Sequence, residues 1–210
     1  MPKKLLEKIL KKEIRLENDA NCFALSEAVD GAGKNHQVVF GVIIGTGMGA
    51  GIVINRNIHR GKNLVAGEFG HTSLPRSHDS EIKLAEQCYC GLKGCNETFL
   101  SGPGFTSIFN NTYNTNFETK EIIKLHNNND KRANKALVEY VDRLARALSS
   151  VINILDPDII VIGGGMSNIN YIYQHIDNKI SEYVFSNSVH TKVVKNFHGD
   201  SSGVRGAAWL

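Results

Sequence analysis

Long apolar runs are what this 210-residue sequence lacks first. None reaches the roughly 18 residues that a membrane-spanning helix needs. It also lacks an excess of one charge: 24 Lys plus Arg stand against 21 Asp plus Glu, a net +3, and there is no acidic or basic tail. A protein that wraps a polyanion needs clustered basic surface, so nucleic acid is not an expected partner. The amino-terminal residues show no apolar core followed by small residues, which excludes a secretory leader as the reading of that segment. Cysteine is limited to Cys22, Cys88, Cys90 and Cys95, three of them within eight positions. A disulfide framework spreads its cysteines along the chain, and this pattern does not. A reducing, cytoplasmic compartment is the expectation. Internal repeats and flexible linkers are absent too.

What is present is ordinary globular composition, 41% hydrophobic and 21% charged, with glycine unevenly placed. Twelve of the 20 glycines lie between Gly41 and Gly104, so that third needs tight turns or close backbone approach to a ligand. Residues 2–13 place Leu5, Leu6, Ile9 and Leu10 on one helical face and lysines on the other, which reads as a surface helix over a core. Alternation at 14–17 reads as a short strand ending at Asn18-Asp19, followed by a helix over 20–29. The run VVFGVII (38–44) is a buried strand. GTGMGA turns the chain and 51–55 returns as a strand, giving a glycine-rich hairpin. Residues 61–104 read as loop plus a short helix, and 104–130 as polar loops around a helix near 121–125. The longest helix is expected over about 131–154, from Leu137, Tyr140, Leu144, Leu148, Ile152 and Leu155, and Asp156-Pro157 stops it. A strand at 159–165, a helix through Tyr171 and Ile180, a strand near 191–197 and a helix near 203–210 follow. This order implies an α/β fold, a mixed sheet covered by helices.

Several constellations carry chemistry. The run CYCGLKGC supplies three thiols on a loop that Gly91 and Gly94 let curl back. Cys88, Cys90 and Cys95 with one imidazole match a closed, tetrahedral, structural zinc site, with no open position for water. His71 is the candidate fourth ligand, and His59 and His78 compete with it. Exposed clustered thiols without a metal would oxidise readily. The hairpin GTGMGAG (45–51) offers unobstructed amides and the Thr46 hydroxyl to phosphate oxygens. It is also what a ligand-free glycine hairpin looks like. No Gly-Lys-Ser/Thr follows, so it is not a P-loop, and a strand rather than a helix follows, so it is not a dinucleotide fingerprint. IIVIGGGMSN (159–168) ends a buried strand in three glycines, either a nucleotide approach or a plain strand–helix turn. A carboxylate at Asp19 could take a proton from an alcohol, although an Asn-Asp pair is also a common cap. Glu68 in GEFGH, together with Glu97, could hold sugar hydroxyls. Taken jointly, these features fit phosphoryl transfer from ATP to a hydroxyl, a reaction that asks for phosphate cradling, Mg²⁺ and a base.

The segments ENDANC, IIGTGMGAGI, AGEFGH, CYCGLKGCNETFLSGPG, DPDIIVIGGGMS and HGDSSGVRGAAWL resemble the ROK family of sugar kinases and sugar-responsive repressors, nearly from end to end. SEAVDGA, NILDPD and GDSSGVRGAAWL most resemble its fructose-phosphorylating branch, which also accepts mannose. The resemblance implies an actin-like ATPase (ribonuclease H-like) fold whose two lobes close on the sugar. It implies Asp19 as general base; Asn18, Asp19, Glu68, His71 and Glu97 as sugar-binding residues; and His71, Cys88, Cys90 and Cys95 as zinc ligands. His71 would turn one ring nitrogen to the metal and the other to the sugar. Gly45, Thr46, Gly47, Gly49 and Gly51 would face the ATP phosphates, and Gly163, Gly164 and Gly165 the adenosine. The partners implied are ATP with Mg²⁺ and a hexose, most directly fructose; glucose, mannose, N-acetylglucosamine and N-acetylmannosamine stay open, and a homodimer is favoured.

The family's kinases open on a strand with an Asp-x-Gly-Gly-Thr-type phosphate motif, and none exists in this sequence. The expectation is therefore a remnant of the N-terminal lobe over 1–37, carrying the Asn-Asp motif, followed by the C-terminal lobe over 38–210 with a zinc loop at 71–97. Weak or no catalysis would follow for such a chain standing alone. A sugar-responsive regulator and a non-catalytic remnant folded around zinc are the readings from other classes.

Overall fold

A computed structural model of the chain describes residues 2–210. Helix α1 (Pro2–Leu10) precedes α2 (Asp19–Val29), after which β1 (Val38–Ile44), β2 (Met48–Ile54) and the two-residue β3 (Asn57–Ile58) form a meander. A long loop holds the short helices α3 (Asp79–Ile82) and α4 (Asn96–Leu100). Then come α5 (Gly102–Tyr113), α6 (Thr119–Asn127), α7 (Lys131–Leu155), β4 (Ile159–Gly163), α8 (Asn170–Ile180), β5 (Lys192–Lys195) and α9 (Ser202–Ala208). The sheet order is β3-β2-β1-β4-β5. β1 pairs antiparallel with β2 and parallel with β4, and β4 runs parallel to β5. The sheet is mixed and helix-covered, as the element order implied.

Both faces of the sheet are buried, which explains why β1 and β4 are continuously apolar rather than alternating. Phe40, Val42, Ile44, Ile160 and Ile162 pack with Leu137, Leu144 and Leu148 of α7. Val39, Val53, Ile159 and Val161 pack with Phe23, Ala24, Leu25 and Ala28 of α2. Helix α2 is buried from Ala20 through Ala28 because it has partners on two sides. On the sheet side, Gly41 and Gly51 are paired across β1 and β2. A Cβ on Gly51 would stand 2.7 Å from the Ala20 carbonyl, and one on Gly41 would stand 2.8 Å from Ala24 Cβ. On the other side, α9 approaches so closely that a Cβ on Gly206 would fall inside the Cys22 carbonyl. Glu27, fully buried, ties these layers together. It accepts from the Ser202 hydroxyl at 2.7 Å and from the backbone amides of Ala32 at 2.9 Å and Phe197 at 3.1 Å. Asp30 adds His198 and Arg205. Residues 19–37 thus pack into the same layers as the strands and α9.

Four local expectations change. Residues 13–18 form no strand and pair with none; Asn18 instead caps α2. The Leu5, Leu6, Ile9 and Leu10 face of α1 is exposed rather than laid on a core. Helix α5 occupies residues read as loop. Ser101 caps it, Pro103 opens it, and Phe105, Ile108 and Phe109 bury its inner face, with the signal masked by the Asn-rich stretch after it. The returning strand begins at Met48, so Gly49 and Gly51 lie within β2 and not in the bend.

One ion network outside the sheet fixes the long loop to α7. Glu81 accepts from Arg143 at 2.8 Å and from Arg146 at 2.6 Å, and both guanidiniums are buried. Burial opposes the Glu81 charge, but hydrogen bonds from Arg146 and Arg143 outweigh it and leave its pKa below the usual carboxylate value. A depressed carboxylate stabilises the fold fully above its unfolded pKa and loses that contribution as pH falls through the folded one. Glu81→Gln is expected to cost about 3–5 kcal/mol at neutral pH, the range for stranding buried charge. The deficit should shrink toward acid, as urea denaturation at a series of pH values would show.

Candidate functional site

The carboxyl ends of β1 and β4 meet at one edge, with Ile43 opposite Gly163. Ligands of open α/β sheets approach outside such strand ends. The bend Gly45–Gly47 leaves β1 there and Gly164–Gly165 leaves β4. The structure therefore brings together the two glycine turns read separately from the sequence. Gly164 has φ +79°, and a Cβ on it would stand 2.5 Å from the Ile44 carbonyl, so the turns abut. Gly45 N–H donates to the Gly47 carbonyl at 2.9 Å, Gly102 N–H donates to the Gly45 carbonyl at 2.8 Å, and Thr46 is exposed.

The seven candidate glycines divide by what surrounds them. Gly45 and Gly165 have nothing within 4 Å of where a side chain would begin. The others are occupied by packing: Gly47 by Glu97, Gly49 by Ala20, Gly51 by α2 backbone, Gly163 by the Phe23 ring and Gly164 by β1. Close helix and strand packing accounts for Gly49, Gly51 and Gly163, so their lack of a side chain carries no phosphate signal. The open backbone at this edge is confined to Gly45, Thr46 and Gly165.

Helix α2 delivers the carboxylate. Asn18 Oδ1 accepts from Ala20 N–H at 2.8 Å and from Asn21 N–H at 3.3 Å. Asp19 opens the helix and accepts from Ala20 N–H at 2.9 Å, where the helix dipole favours a negative charge. Both are exposed. Asn18, Asp19, Gly49, Ala50, Gly67 and Glu68 line one cleft of about 70 Å³. Behind it Glu17 accepts from Arg60 Nε at 2.6 Å and from Asn21 Nδ2 at 2.9 Å. Burial works against the Glu17 charge, and the bonds from Asn21, Asn18 and Arg60 overcome it, so its pKa lies below the usual value. Sequence reading missed the Glu17–Arg60 pair, which ties the start of α2 to the loop bearing Glu68. Nothing in the spacing of the two residues signals it.

Glu97 and His71 do not line that cleft. Glu97 lies in the first turn of α4; its Oε2 accepts from Met48 N–H at 2.9 Å, and the Cys88 thiol approaches its Oε1 at 4.0 Å. It links the glycine bend to the thiol loop. His71 Nδ1 lies 3.4 Å from Cys88 Sγ, and Cys90 Sγ lies 3.6 Å from Cys95 Sγ. The donor atoms of His71, Cys88, Cys90 and Cys95 all fall within 4.8 Å of one another, and His59 and His78 are not among them. Zinc bonds of 2.0–2.3 Å in a tetrahedron put ligand atoms about 3.5–3.8 Å apart, so this donor set fits zinc. Burial and the neighbouring thiols of Cys90 and Cys88 push Cys95 up to about 12. Packed thiols resist accumulating negative charge, which a divalent cation would relieve by displacing their protons. The loop is closed by Asn96 N–H to the Thr72 carbonyl at 2.9 Å and Leu74 N–H to the Gly94 carbonyl at 2.8 Å. His71 Nε2 meets the Tyr89 hydroxyl at 2.7 Å. Tyr89 sits inside the CYCG run, where the thiol pattern gives no sign of its contact with His71.

A family model described as ROK family matches residues 3–210. An N-acetyl-D-glucosamine kinase of Photobacterium profundum is 40% identical over 213 residues, which take in 99% of this chain and 70% of that protein. The crystal structure of a ROK hexokinase from Thermus thermophilus superposes with a TM-score of 0.87 at 25% identity, covering 98% of this chain and 67% of that one. A ROK family glucokinase from Streptomyces griseus, solved in complex with glucose and AMPPNP, gives 0.83 at 26%, covering 99% and 71%. No helix among the described residues is long and apolar enough to cross a membrane.

The division among the glycines is open to direct test. Gly51→Ala is expected to lower stability by about 1–3 kcal/mol, since α2 must shift to admit the methyl group. Gly45→Ala, with open space at that point, should leave the melting temperature nearly unchanged. Thermal denaturation of the two variants checks the contrast.

Proposed function

The chain belongs to the ROK family, and from that premise we propose that it phosphorylates a hexose with ATP, N-acetylglucosamine being the preferred substrate. The observation that carries the reading is the convergence of Asn18, Asp19 and Glu68 on one cleft beside β2, the strand that the open glycine bend leads into. A sugar hydroxyl in that cleft would give its proton to the Asp19 carboxylate as its oxygen attacks the terminal phosphorus of ATP. The bond from that phosphorus to the ADP oxygen breaks. Asn18 and Glu68 orient the hydroxyl. The exposed Thr46, in the bend that Gly45 leaves open, would receive phosphate oxygens, and Gly165 would leave room for the nucleoside. Mg²⁺ arrives with ATP and neutralises charge on the phosphates. Catalysis of this kind is positioning and electrostatics, with little covalent work by the protein.

N-acetylglucosamine is preferred to fructose on two grounds. The 40%-identical relative is a kinase of that sugar. The segments whose likeness pointed to fructose do structural work away from the cleft. SEAVDGA and GDSSGVRGAAWL carry Glu27, Asp30, Ser202, Arg205 and Gly206, which join α2 to α9. NILDPD ends α7 and holds the start of β1 through Asp158, which accepts from Gln37 and Val38 amides. None of these residues lines the cleft.

We assign zinc to His71, Cys88, Cys90 and Cys95, where it would crosslink the loop between β3 and α4. Metal analysis is expected to give about one zinc per chain.

In a coupled assay, N-acetylglucosamine is expected to give the highest kcat/KM among N-acetylglucosamine, N-acetylmannosamine, glucose, mannose and fructose. Asp19→Asn should lower kcat by about 10²–10⁴ with an unaltered melting temperature. A higher value for fructose would overturn the substrate assignment, and a loss below about tenfold would remove Asp19 from its role.

A further inference from the structure

We propose that Cys90 and Cys95 are a redox-modified pair: on meeting a peroxide they form a reversible disulfide, and the thiol loop gives up its metal as they do. The loss of metal rests on the zinc assignment above; the disulfide does not.

The three thiols of the loop are not equivalent. Cys88 is 3% exposed and Cys95 1%, and Cys22 of α2, outside the cluster, is buried as well. Cys90 is the exposed one. Cysteine is among the most buried residue types, and its reaction with oxidants follows access. Cys95 Sγ stands 3.6 Å from Cys90 Sγ. Cys88 Sγ is engaged elsewhere, 3.4 Å from His71 Nδ1 and 4.0 Å from Glu97 Oε1. A bridge from Cys88 to Cys90 would also have to close across a single residue, and disulfide geometry tolerates little distortion.

The chain between Cys90 and Cys95 lets one thiol approach the other. A disulfide holds its sulfurs about 2.05 Å apart, so the gap must shorten by roughly 1.5 Å. Cys95 is the fixed partner. It caps α4 and bridges to Ser73, and the next residue, Asn96, donates its N–H to the Thr72 carbonyl. Cys90 is the partner with room to turn. Gly91 and Gly94 have φ of +88° and +81° and flank the exposed Leu92 and Lys93. A Cβ on Gly91 would meet nothing within 4 Å, and one on Gly94 would meet only the Ile82 side chain. Residues 91–93 bury no side chain that would resist the movement.

The chemistry balances on one hydrogen peroxide. The Cys90 thiolate attacks a peroxide oxygen; an S–O bond forms, the O–O bond breaks, and the departing hydroxide takes a proton and leaves as water. The Cys95 thiolate then attacks the Cys90 sulfur; the S–S bond forms, the S–O bond breaks, and the second hydroxide leaves as water. Two electrons pass from the thiolates to the peroxide, and a dithiol returns them by exchange. Two of the four donors are then spent, and His71 and Cys88 alone do not complete a tetrahedral site. Cys95 caps the helix whose Glu97 holds the amide at the start of β2, so the change is made beside the glycine bend.

Lys93 makes the pair easy to read, because trypsin separates residues 84–93, with Cys88 and Cys90, from residues 94–120, with Cys95. The zinc-loaded protein would be treated with equimolar hydrogen peroxide, zinc release followed with a chromophoric chelator, free thiols blocked, and the peptides analysed by mass spectrometry. The expected result is release of about one zinc per chain, a link between the two peptides that fragmentation places on Cys90 and Cys95, and an unmodified Cys22. A dithiol should restore both thiols and zinc uptake, and Cys90→Ser should lose the link. Zinc release without the link, a link placed on Cys88, or a link that survives in Cys90→Ser would each overturn the disulfide. A linked protein that keeps its zinc would overturn the discharge of metal. If the protein takes up no zinc at all, the metal assignment fails by itself, and the presence or absence of the link in the metal-free protein decides the disulfide.

Discussion

The position of helix α2 is the constraint on which the rest depends. It is held between a sheet face and a second helix at a spacing that side chains do not permit, and glycine removes them at each contact: Gly41 and Gly51 below, Gly206 above. Because α2 can sit at only one height and angle, its first turn is set. Asn18 and Asp19 then project over β2 toward Glu68. The buried carboxylate of Glu27 reinforces the arrangement from within, since a fully buried charge must be satisfied by hydrogen bonds and here draws on three separate segments. An exposed carboxylate at a helix start is common and inert. A rigid support is what distinguishes Asp19.

A second constraint joins the other half of the site. Glu97 bonds to the amide at the start of β2 and lies against Cys88, so the glycine bend and the thiol loop share one carboxylate. The thiol loop in turn places α4, whose cap is Cys95 and whose first turn carries Glu97 itself. Thiol cluster, bend and sheet are therefore linked within a few bonds.

The sequence was most legible where burial on both faces leaves no choice. The run at 38–44 gives β1 to the residue, the run opening at 159 gives β4 and the glycine turn after it, and the spacing of Leu137, Tyr140, Leu144 and Leu148 gives the long helix almost to the residue. The thiol cluster was legible because its chemistry is local. It was less legible where one pattern serves two causes. A glycine that admits a phosphate and a glycine that admits a helix look alike in a sequence, and only the neighbours in space separate Gly45 from Gly51. Period-two alternation at 14–17 has no partner strand, so the pattern finds no use. Glu17 and Arg60 are 43 positions apart, and no local rule couples them. The segments whose likeness suggested fructose hold α2 against α9 and join the end of α7 to the start of β1.

That last union joins residues 175 positions apart. Contacts of such long sequence separation form late, because loop closure must be achieved before they can reward it. On a translating ribosome, α2 emerges early, and the α9 segment that covers it follows only after the strands and the long helix have been made. Until then Cys22 and Glu27 stand uncovered, and the helix that carries Asp19 has no fixed height above the sheet. Nascent chains would thus hold an unformed Asn18–Asp19 cleft through most of synthesis, and its completion would coincide with release of α9 from the exit tunnel.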